Sequence, residues 1–297
     1  MAEGILFQKE LEGLKVSEST LRVGADMKTR HYHETIELFA VMEGERYVFV
    51  DRYVYHLKPR TVLLIPPGQI HRTSSVEEHP SHRRFLLQYS REIYGRMIRA
   101  TFGLSYDEFC QKYSGPVPIG EETWEEMLQI FGRLKEEMRR EETGQLYLPM
   151  VRMLSYEILL LFGREADRVR EQNPSAGPVH VESGIYATIQ LVTGYIQEHY
   201  DEDLRIERLT ERFHISRGYL TRNFKEVTGV TIVQYLTVVR IRRAGKYLLD
   251  TDLSVTEIAN RCGFGDVTYF EKVFRRLRGT TPRNYRRKIR ESRADPE

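Results

Sequence analysis

Hydrophobic positions change their period along this chain. Within residues 18–90, β-branched and aromatic side chains alternate with polar ones in Ile36–Met42, Arg46–Val50 and Thr61–Ile65, the two-residue period of strands. Glu43-Gly44-Glu45, Lys58-Pro59-Arg60 and Pro66-Pro67-Gly68 separate these runs as turns. Short strands at such spacing predict a sandwich or small barrel. From about residue 91 the period becomes helical. Trp124, Leu128, Phe131, Leu134 and Met138 step by three or four along one face, and a more apolar run extends from Leu146 to Val169. One side of that run is expected to cover the strands. Its remaining apolar residues either pack internally or meet a second copy of the chain. Glu171-Gln172-Asn173-Pro174-Ser175-Ala176-Gly177-Pro178 is polar and turn-rich, the best linker candidate, and everything after Ser183 reads as short helices.

Two short-helix pairs stand out in the last hundred residues. In the first, Ile206, Leu209 and Phe213 mark a helix, His214-Ile215 a turn, Ser216 an N-cap and Gly229 a stop. On the second helix Leu220, Phe224 and Val227 fall on one side, and Gly218, Thr221, Arg222 and Lys225 on the other. About fifty residues later the arrangement recurs. Val255, Ile258 and Ala259 follow Ser254, Cys262-Gly263-Phe264-Gly265 turns the chain, and Asp266 caps the next helix. There Phe270, Val273, Phe274 and Leu277 oppose Thr268, Glu271, Lys272 and Arg275. Ile232 to Leu249 lies between as a helix of about 27 Å, enough to set two reading helices near one DNA turn apart.

Charge changes the picture. The whole chain is nearly balanced at +2, but residues 216–290 hold seventeen Lys/Arg against six Asp/Glu. A positive field at one end suggests either a polyanionic partner or a solvated basic tail, and charge alone does not separate them. Two helix-turn-helix patterns, a helical spacer and that excess point to double-stranded DNA. The run Gly263-Phe264-Gly265-Asp266-Val267-Thr268-Tyr269-Phe270-Glu271-Lys272-Val273-Phe274-Arg275-Arg276-Leu277-Arg278-Gly279-Thr280-Thr281-Pro282 resembles the C-terminal signature of the AraC/XylS transcriptional regulators, and the resemblance covers about residues 183–291. It implies a bipartite domain whose two recognition helices enter successive major-groove segments. Carried over by position, the base-reading candidates are Gly218, Thr221 and Arg222, then Val267, Thr268 and Lys272. Gly218 and Val267 lack a hydrogen-bonding side chain, whereas Arg222 suits a bidentate contact to guanine. Lys225, Arg275, Arg276, Arg278, Arg286, Arg287 and Lys288 are the phosphate candidates.

In the first half, His31-Tyr32-His33 with Glu37, followed by Gly44, and Pro66-Pro67-Gly68-Gln69-Ile70-His71 resemble the two motifs of the cupin barrel. The match departs from the full form at Gly24, before Pro66 and after His71. Positions 31, 33 and 37 share parity, so an extended chain aims them to one side. Three imidazoles and a carboxylate suit iron, manganese, nickel or zinc. In a ligand-sensing cupin the same His31, His33, Glu37 and His71 instead hydrogen-bond a polar effector, a sugar among the candidates, or each other. Tyr47, Phe49 and Phe39 are candidates for cavity lining or core.

The expected fold class is α+β multidomain: an N-terminal cupin-like β-barrel with following helices, and a C-terminal all-α domain of two helix-turn-helix units joined by a linker helix. Residues 8–172 are the sensing and dimerisation domain, 173–182 the linker and 183–291 the DNA-binding domain. The expected function is a sequence-specific, effector-controlled transcriptional regulator that is not an enzyme, acts as a homodimer on promoter DNA, and meets RNA polymerase if it activates. A divalent metal ion in the barrel is the one cofactor expectation. The rival readings are a metal-dependent cupin enzyme with an accessory DNA-binding domain, and a DNA architectural protein indifferent to sequence. The longest strongly apolar stretch, Ile158-Leu159-Leu160-Leu161-Phe162, is far short of the roughly 18 residues of a membrane span. The acidic first ten residues predict no secretion signal, and two distant cysteines, Cys110 and Cys262, predict no disulfide framework, so the expected setting is cytoplasmic.

Overall fold

The structure, a computed structural model, describes residues 4–21, 33–76, 81–140, 144–172 and 184–294, without the side chains of Leu21, Lys288, Ile289 and 291–294. The expected linker, 173–182, and His31 lie outside the described residues. The chain divides into two compact units, Met1–Val181 and Glu182–Glu297.

The first unit faces two antiparallel sheets. One runs in the order β1 (Gly4–Leu11), β2 (Leu14–Leu21), β8 (His82–Tyr89), β3 (Ile36–Glu43), β6 (Thr61–Ile65), β9 (Gly115–Pro118). The other runs β5 (Tyr53–Leu57), β4 (Arg46–Val50), β7 (His71–Ser75). The space between them is identified by what packs there. Phe39, Val41, Leu63, Ile65 and Leu86 of the larger sheet meet Val48, Val50, Tyr55 and Leu57 of the smaller. The larger sheet's other face, with Leu38, Ala40, Val62, Leu64, Phe85 and Leu87, is covered by α1 (Arg91–Phe102), α2 (Tyr106–Tyr113), α3 (Glu121–Arg139) and α4 (Tyr147–Gln172). Strand β3 is therefore apolar almost without interruption: it is central, with a core on each face. Strands β1 and β2 begin earlier than residue 18, where the sequence reading starts the strand region. β1 is an edge strand with Phe7 as its one buried residue among those described, so it shows little alternation.

The helices are tied to the sheet by buried tyrosines. Tyr106 Oη donates to the Tyr89 carbonyl at 2.6 Å and accepts from Ile36 N–H at 2.7 Å. Tyr89 Oη donates to the Ser155 carbonyl at 2.8 Å, and Tyr94 shares a hydrogen bond with the Ser155 hydroxyl. Buried Glu18 pairs with Arg83 and with Lys135 of α3. On α4, Val151, Leu154, Ile158, Leu161 and Phe162 are buried within this unit, while Leu148, Met150 and Met153, with Leu146 just before the helix, are exposed.

The second unit is helical among its described residues: α5 (Gly184–Glu198), α6 (Ile206–Phe213), α7 (Arg217–Thr228), α8 (Ile232–Asp250), α9 (Val255–Arg261), α10 (Val267–Arg278) and α11 (Pro282–Ala294). Ser216 and Asp266 cap α7 and α10, and Gly229 and Gly279 end them in the left-handed region. Helix α8 starts with a Thr231/Gln234 capping box and runs nineteen residues, about 28 Å. Helix α11 packs against α8. No helix among the described residues is long and apolar enough to cross a membrane.

Candidate nucleic-acid interface and effector site

The two helix pairs solve the same packing problem with different turns. In α6–α7 the turn pivots on His214, a non-glycine residue at φ 53°. In α9–α10 it is longer and pivots on Gly263 at φ 77°, where a Cβ would stand 2.8 Å from the Arg240 guanidinium and 2.9 Å from the Asp201 carbonyl. In both, the second helix buries one face and presents the other. Leu220, Phe224 and Val227 are buried on α7, with Gly218, Arg222 and Lys225 exposed and Thr221 half-buried. Phe270, Val273 and Phe274 are buried on α10, with Thr268, Lys272, Arg275 and Arg276 exposed. Asp266 Oδ1 accepts from the N–H groups of Thr268 and Tyr269 at 2.7 and 3.1 Å, which holds that helix start rigidly.

Other sequence candidates are placed differently. Val267 is half-buried against the second unit's core, so its side chain serves packing. Thr221 donates its hydroxyl proton to the Arg217 carbonyl at 2.8 Å and keeps only acceptor capacity. The Arg278 guanidinium lies 5.6 Å over the Tyr285 ring. Arg286, expected at phosphate, donates to the carbonyls of Leu248 and Leu253 at 3.1 and 2.6 Å, closing the end of α8. Arg240 does the same work for the carbonyls of Tyr200 and Glu202. Arg287 is exposed, and the Lys288 side chain lies outside the description. The sequence reading missed Tyr219 and Tyr269, exposed aromatics three residues after each cap. Their equal distance from Ser216 and Asp266 is the signal that identifies them.

In the barrel, His33, Glu37 and His71 converge, with ligand atoms all within 4.8 Å of one another. His33 Nε2 lies 2.8 Å from Glu37 Oε2 and His71 Nε2 3.9 Å from it, while Gln88 Nε2 donates to the same oxygen at 2.9 Å. Each ring is oriented through Nδ1, His33 by the Thr35 carbonyl at 3.0 Å and His71 by the Gln69 carbonyl at 3.0 Å. Burial pushes the Glu37 carboxyl up, but the His33 hydrogen bond and the two imidazole charges outweigh it and hold the group well below the usual carboxylate range. Burial likewise pulls the His33 ring down, and its Glu37 partner outweighs this, leaving it above its ordinary 6.5. Phe39 and Phe49 are buried core residues, and Tyr47 packs on His56 at 4.9 Å between centroids.

Comparison with known proteins adds two domain matches. A family described as an AraC-like ligand binding domain matches residues 21–147, and a helix-turn-helix domain matches residues 209–288. The bifunctional transcriptional activator/DNA repair enzyme AdaA of Bacillus subtilis (strain 168) is 35% identical over 98 residues, 33% of this chain and 46% of that protein. The alignment thus spans less than half of AdaA. The HTH-type transcriptional activator RhaS of Escherichia coli O139:H28 is 25% identical over 260 residues, 86% of each chain. The solved C-terminal domain of AraT, a response regulator from Geobacillus stearothermophilus, is 34% identical with a TM-score of 0.34, covering 36% of this chain and 88% of that one.

Proposed function

We propose that this chain is a transcriptional regulator of the AraC/XylS type, which binds promoter DNA sequence-specifically under control of a small molecule received by the N-terminal barrel. One observation carries the reading: each of two helix pairs buries one face of its second helix and presents polar and cationic side chains on the other. Arg222 is the foremost base reader, and Thr268 and Lys272 serve the second helix. Arg275, Arg276 and Arg287 supply phosphate contacts, which add affinity without sequence information. Selection from random duplexes at fixed salt tests this. A recovered consensus that outcompetes random DNA supports it, and equal affinity for all duplexes points to an architectural protein.

The effector site is His33, Glu37, His71 and Gln88, with His31 beside them in sequence. This hydrogen-bonding set suits a hydroxyl-bearing molecule such as a sugar. The exposed Leu146, Leu148, Met150 and Met153 around the start of α4 favour a homodimer. Effector then selects one dimer arrangement, by as much as its affinity differs between the two. RNA polymerase is a further partner if the protein activates, and the setting is the cytoplasm.

A second reading rests on the same cluster. Two imidazoles and a carboxylate within 4.8 Å suit a divalent ion such as iron, manganese, nickel or zinc. Metal analysis of the purified protein against His33→Ala separates the two: stoichiometric metal with turnover would favour a cupin enzyme, and metal-free protein that binds its operator the regulator.

A further inference from the structure

The helical unit holds a cavity of its own. About 230 Å³ in volume, it is lined by Tyr200, Arg243, Lys246, Tyr247, Asp250 and Thr251. Arg243, Lys246, Tyr247 and Asp250 recur at i, i+3, i+4 and i+7, so they share one face of α8. Tyr200 comes from the segment between α5 and α6, and Arg240 Nε holds that segment to α8 by donating to the Tyr200 carbonyl at 2.7 Å. The Arg243 guanidinium lies 5.3 Å over the Tyr200 ring. Thr251 Oγ1 donates to the Tyr247 carbonyl at 2.7 Å, which ties down the end of α8.

The cations of this cavity are unmatched. Arg243 is half-buried and Lys246 exposed, and neither forms a hydrogen bond or ion pair with a described residue. The Arg243 Nε–H is buried without an acceptor. Nor does a neighbour carry a hidden negative charge. Burial, with Tyr247 alongside, pushes the Tyr200 phenol up, and burial pushes the Cys262 thiol up to about 12, so both are neutral. Asp250 is exposed and unpaired among the described residues, although it stands four residues after Lys246. A lysine that precedes its acid is the weaker order for such a pair. Elsewhere in this unit comparable charges are taken: Arg286 closes helix-end carbonyls, Arg290 pairs with Asp252 and Arg208 with Glu202. A guanidinium cannot shed its proton, so a half-buried one without a partner is matched by an anion from outside.

Three features specify that anion. Two cations against one carboxylate leave the lining at a single net positive charge, which favours a monoanion, and Asp250 opposes a phosphate dianion. The Tyr200 and Tyr247 rings offer apolar faces to the ligand's body, the usual division of a small-molecule site into apolar walls and a few placed polar groups. The volume is below the roughly 300 Å³ at which pockets for drug-sized ligands begin, so it suits a small organic acid and not a nucleotide.

We propose that this cavity binds a small organic monocarboxylate, held by Arg243 and Lys246 with its body against Tyr200 and Tyr247. The site is additional to the barrel's effector site and does not depend on it. Tyr200 precedes the first helix pair and α8 leads into the second, so a ligand there bridges segments that flank both pairs.

Benzoate is the probe, since it sets one carboxylate on a flat apolar ring. Full-length ¹⁵N-labelled protein is titrated with sodium benzoate at constant ionic strength, following the backbone amides. Saturable shifts at residues 243–251 with Kd below about 10 mM are expected. Benzamide, of the same shape without the charge, should give none, and phenyl phosphate should bind more weakly than benzoate. Arg243→Gln and Lys246→Gln should each weaken benzoate about tenfold. Absence of saturable shifts up to about 50 mM benzoate, or saturable shifts confined to the barrel, overturns the proposal on the wild-type protein, with no variant needing to fold. So does benzamide binding as tightly as benzoate, phenyl phosphate binding more tightly than it, or unchanged benzoate affinity in both cation variants.

Discussion

The barrel and the helical unit keep their polar chemistry on opposite sides. In the helical unit Arg222, Lys272 and Arg275 stand on the outer faces of helices whose inner faces are filled with Leu220, Phe224, Phe270 and Phe274. In the barrel Glu37, His71, Arg46 and His82 point inward and are almost wholly buried. A surface charge is solvated and contributes little to folding, so α7 and α10 are free to spend theirs on a partner. A buried charge must be matched within the protein or by what it binds. The first arrangement suits a large, repetitive polyanion, the second a small enclosed molecule.

Removing a buried match breaks the comparison most sharply. Glu37→Leu leaves the Nε2 donors of His33 and Gln88 without their acceptor. It is expected to cost the barrel about 3–5 kcal/mol, while the helical unit's transition stays in place. Calorimetry of the full chain checks this, and a barrel transition that does not move would show the cluster to be solvated. On the outer side, Arg222→Ala is expected to leave the fold intact and cost about 1–3 kcal/mol at one base pair. Arg275→Ala instead should weaken every sequence alike and lower the salt slope by about one contact. Competition binding at several salt concentrations separates the two, and uniform weakening by Arg222→Ala would remove its base-reading role.

Within the helical unit, two glycines of one turn sharpen the point. Gly263→Ala forces a side chain into the left-handed region against Arg240 and Asp201, and about 1–2 kcal/mol of stability should be lost. A Cβ at Gly265 meets open space, so Gly265→Ala should stay within about 0.5 kcal/mol. Urea unfolding of both variants measures the difference. The two barrel histidines separate through pH. The folded His33 ring titrates above 6.5, so its contribution is complete below 6.5 and is lost as pH rises through the raised value. The folded His82 ring titrates near 3, so stability falls as pH drops from 6.5 and only the unfolded chain takes up the proton. The barrel is therefore expected to be most stable near pH 6.5. His33→Gln should flatten the alkaline limb and His82→Gln the acid one, in thermal melts across pH.

The helical unit was far more legible than the barrel. Ser216, Gly229, Ser254, Asp266 and Gly279 announce helix ends through local backbone chemistry, and each stands where that chemistry requires. The inner faces of α7 and α10 follow from a period of 3.6. Helix α11 escaped individual recognition because its composition is dominated by arginine and other polar residues, with little apolar stripe to read. Arg240 and Arg286 escaped for another reason: an arginine that closes a helix end on distant carbonyls looks, in sequence, like any solvated arginine. His82-Arg83-Arg84 likewise reads as a surface charge run. Only the alternation along β8 sends Arg83 outward to Glu18 and its two neighbours inward.

The sequence by itself determined the elements whose signals are local: the strand run around Ile36–Ile65, the caps, the glycine stops and the two-faced helices of the second unit. Parity also proposed His33 and Glu37 for one side of an extended segment, and the two do meet, although the chain bends at 34–35 and β3 begins only at Ile36. Tertiary structure alone decided which charges are spent internally, because that depends on carbonyls and side chains tens of residues away. It seated His71 beside Glu37, turned Arg286 from a phosphate candidate into a helix closure, and brought Arg46 of one sheet against His82 of the other. Periodicity specifies which way a side chain points relative to its own element. What it meets there is set by the packing of elements far apart in sequence.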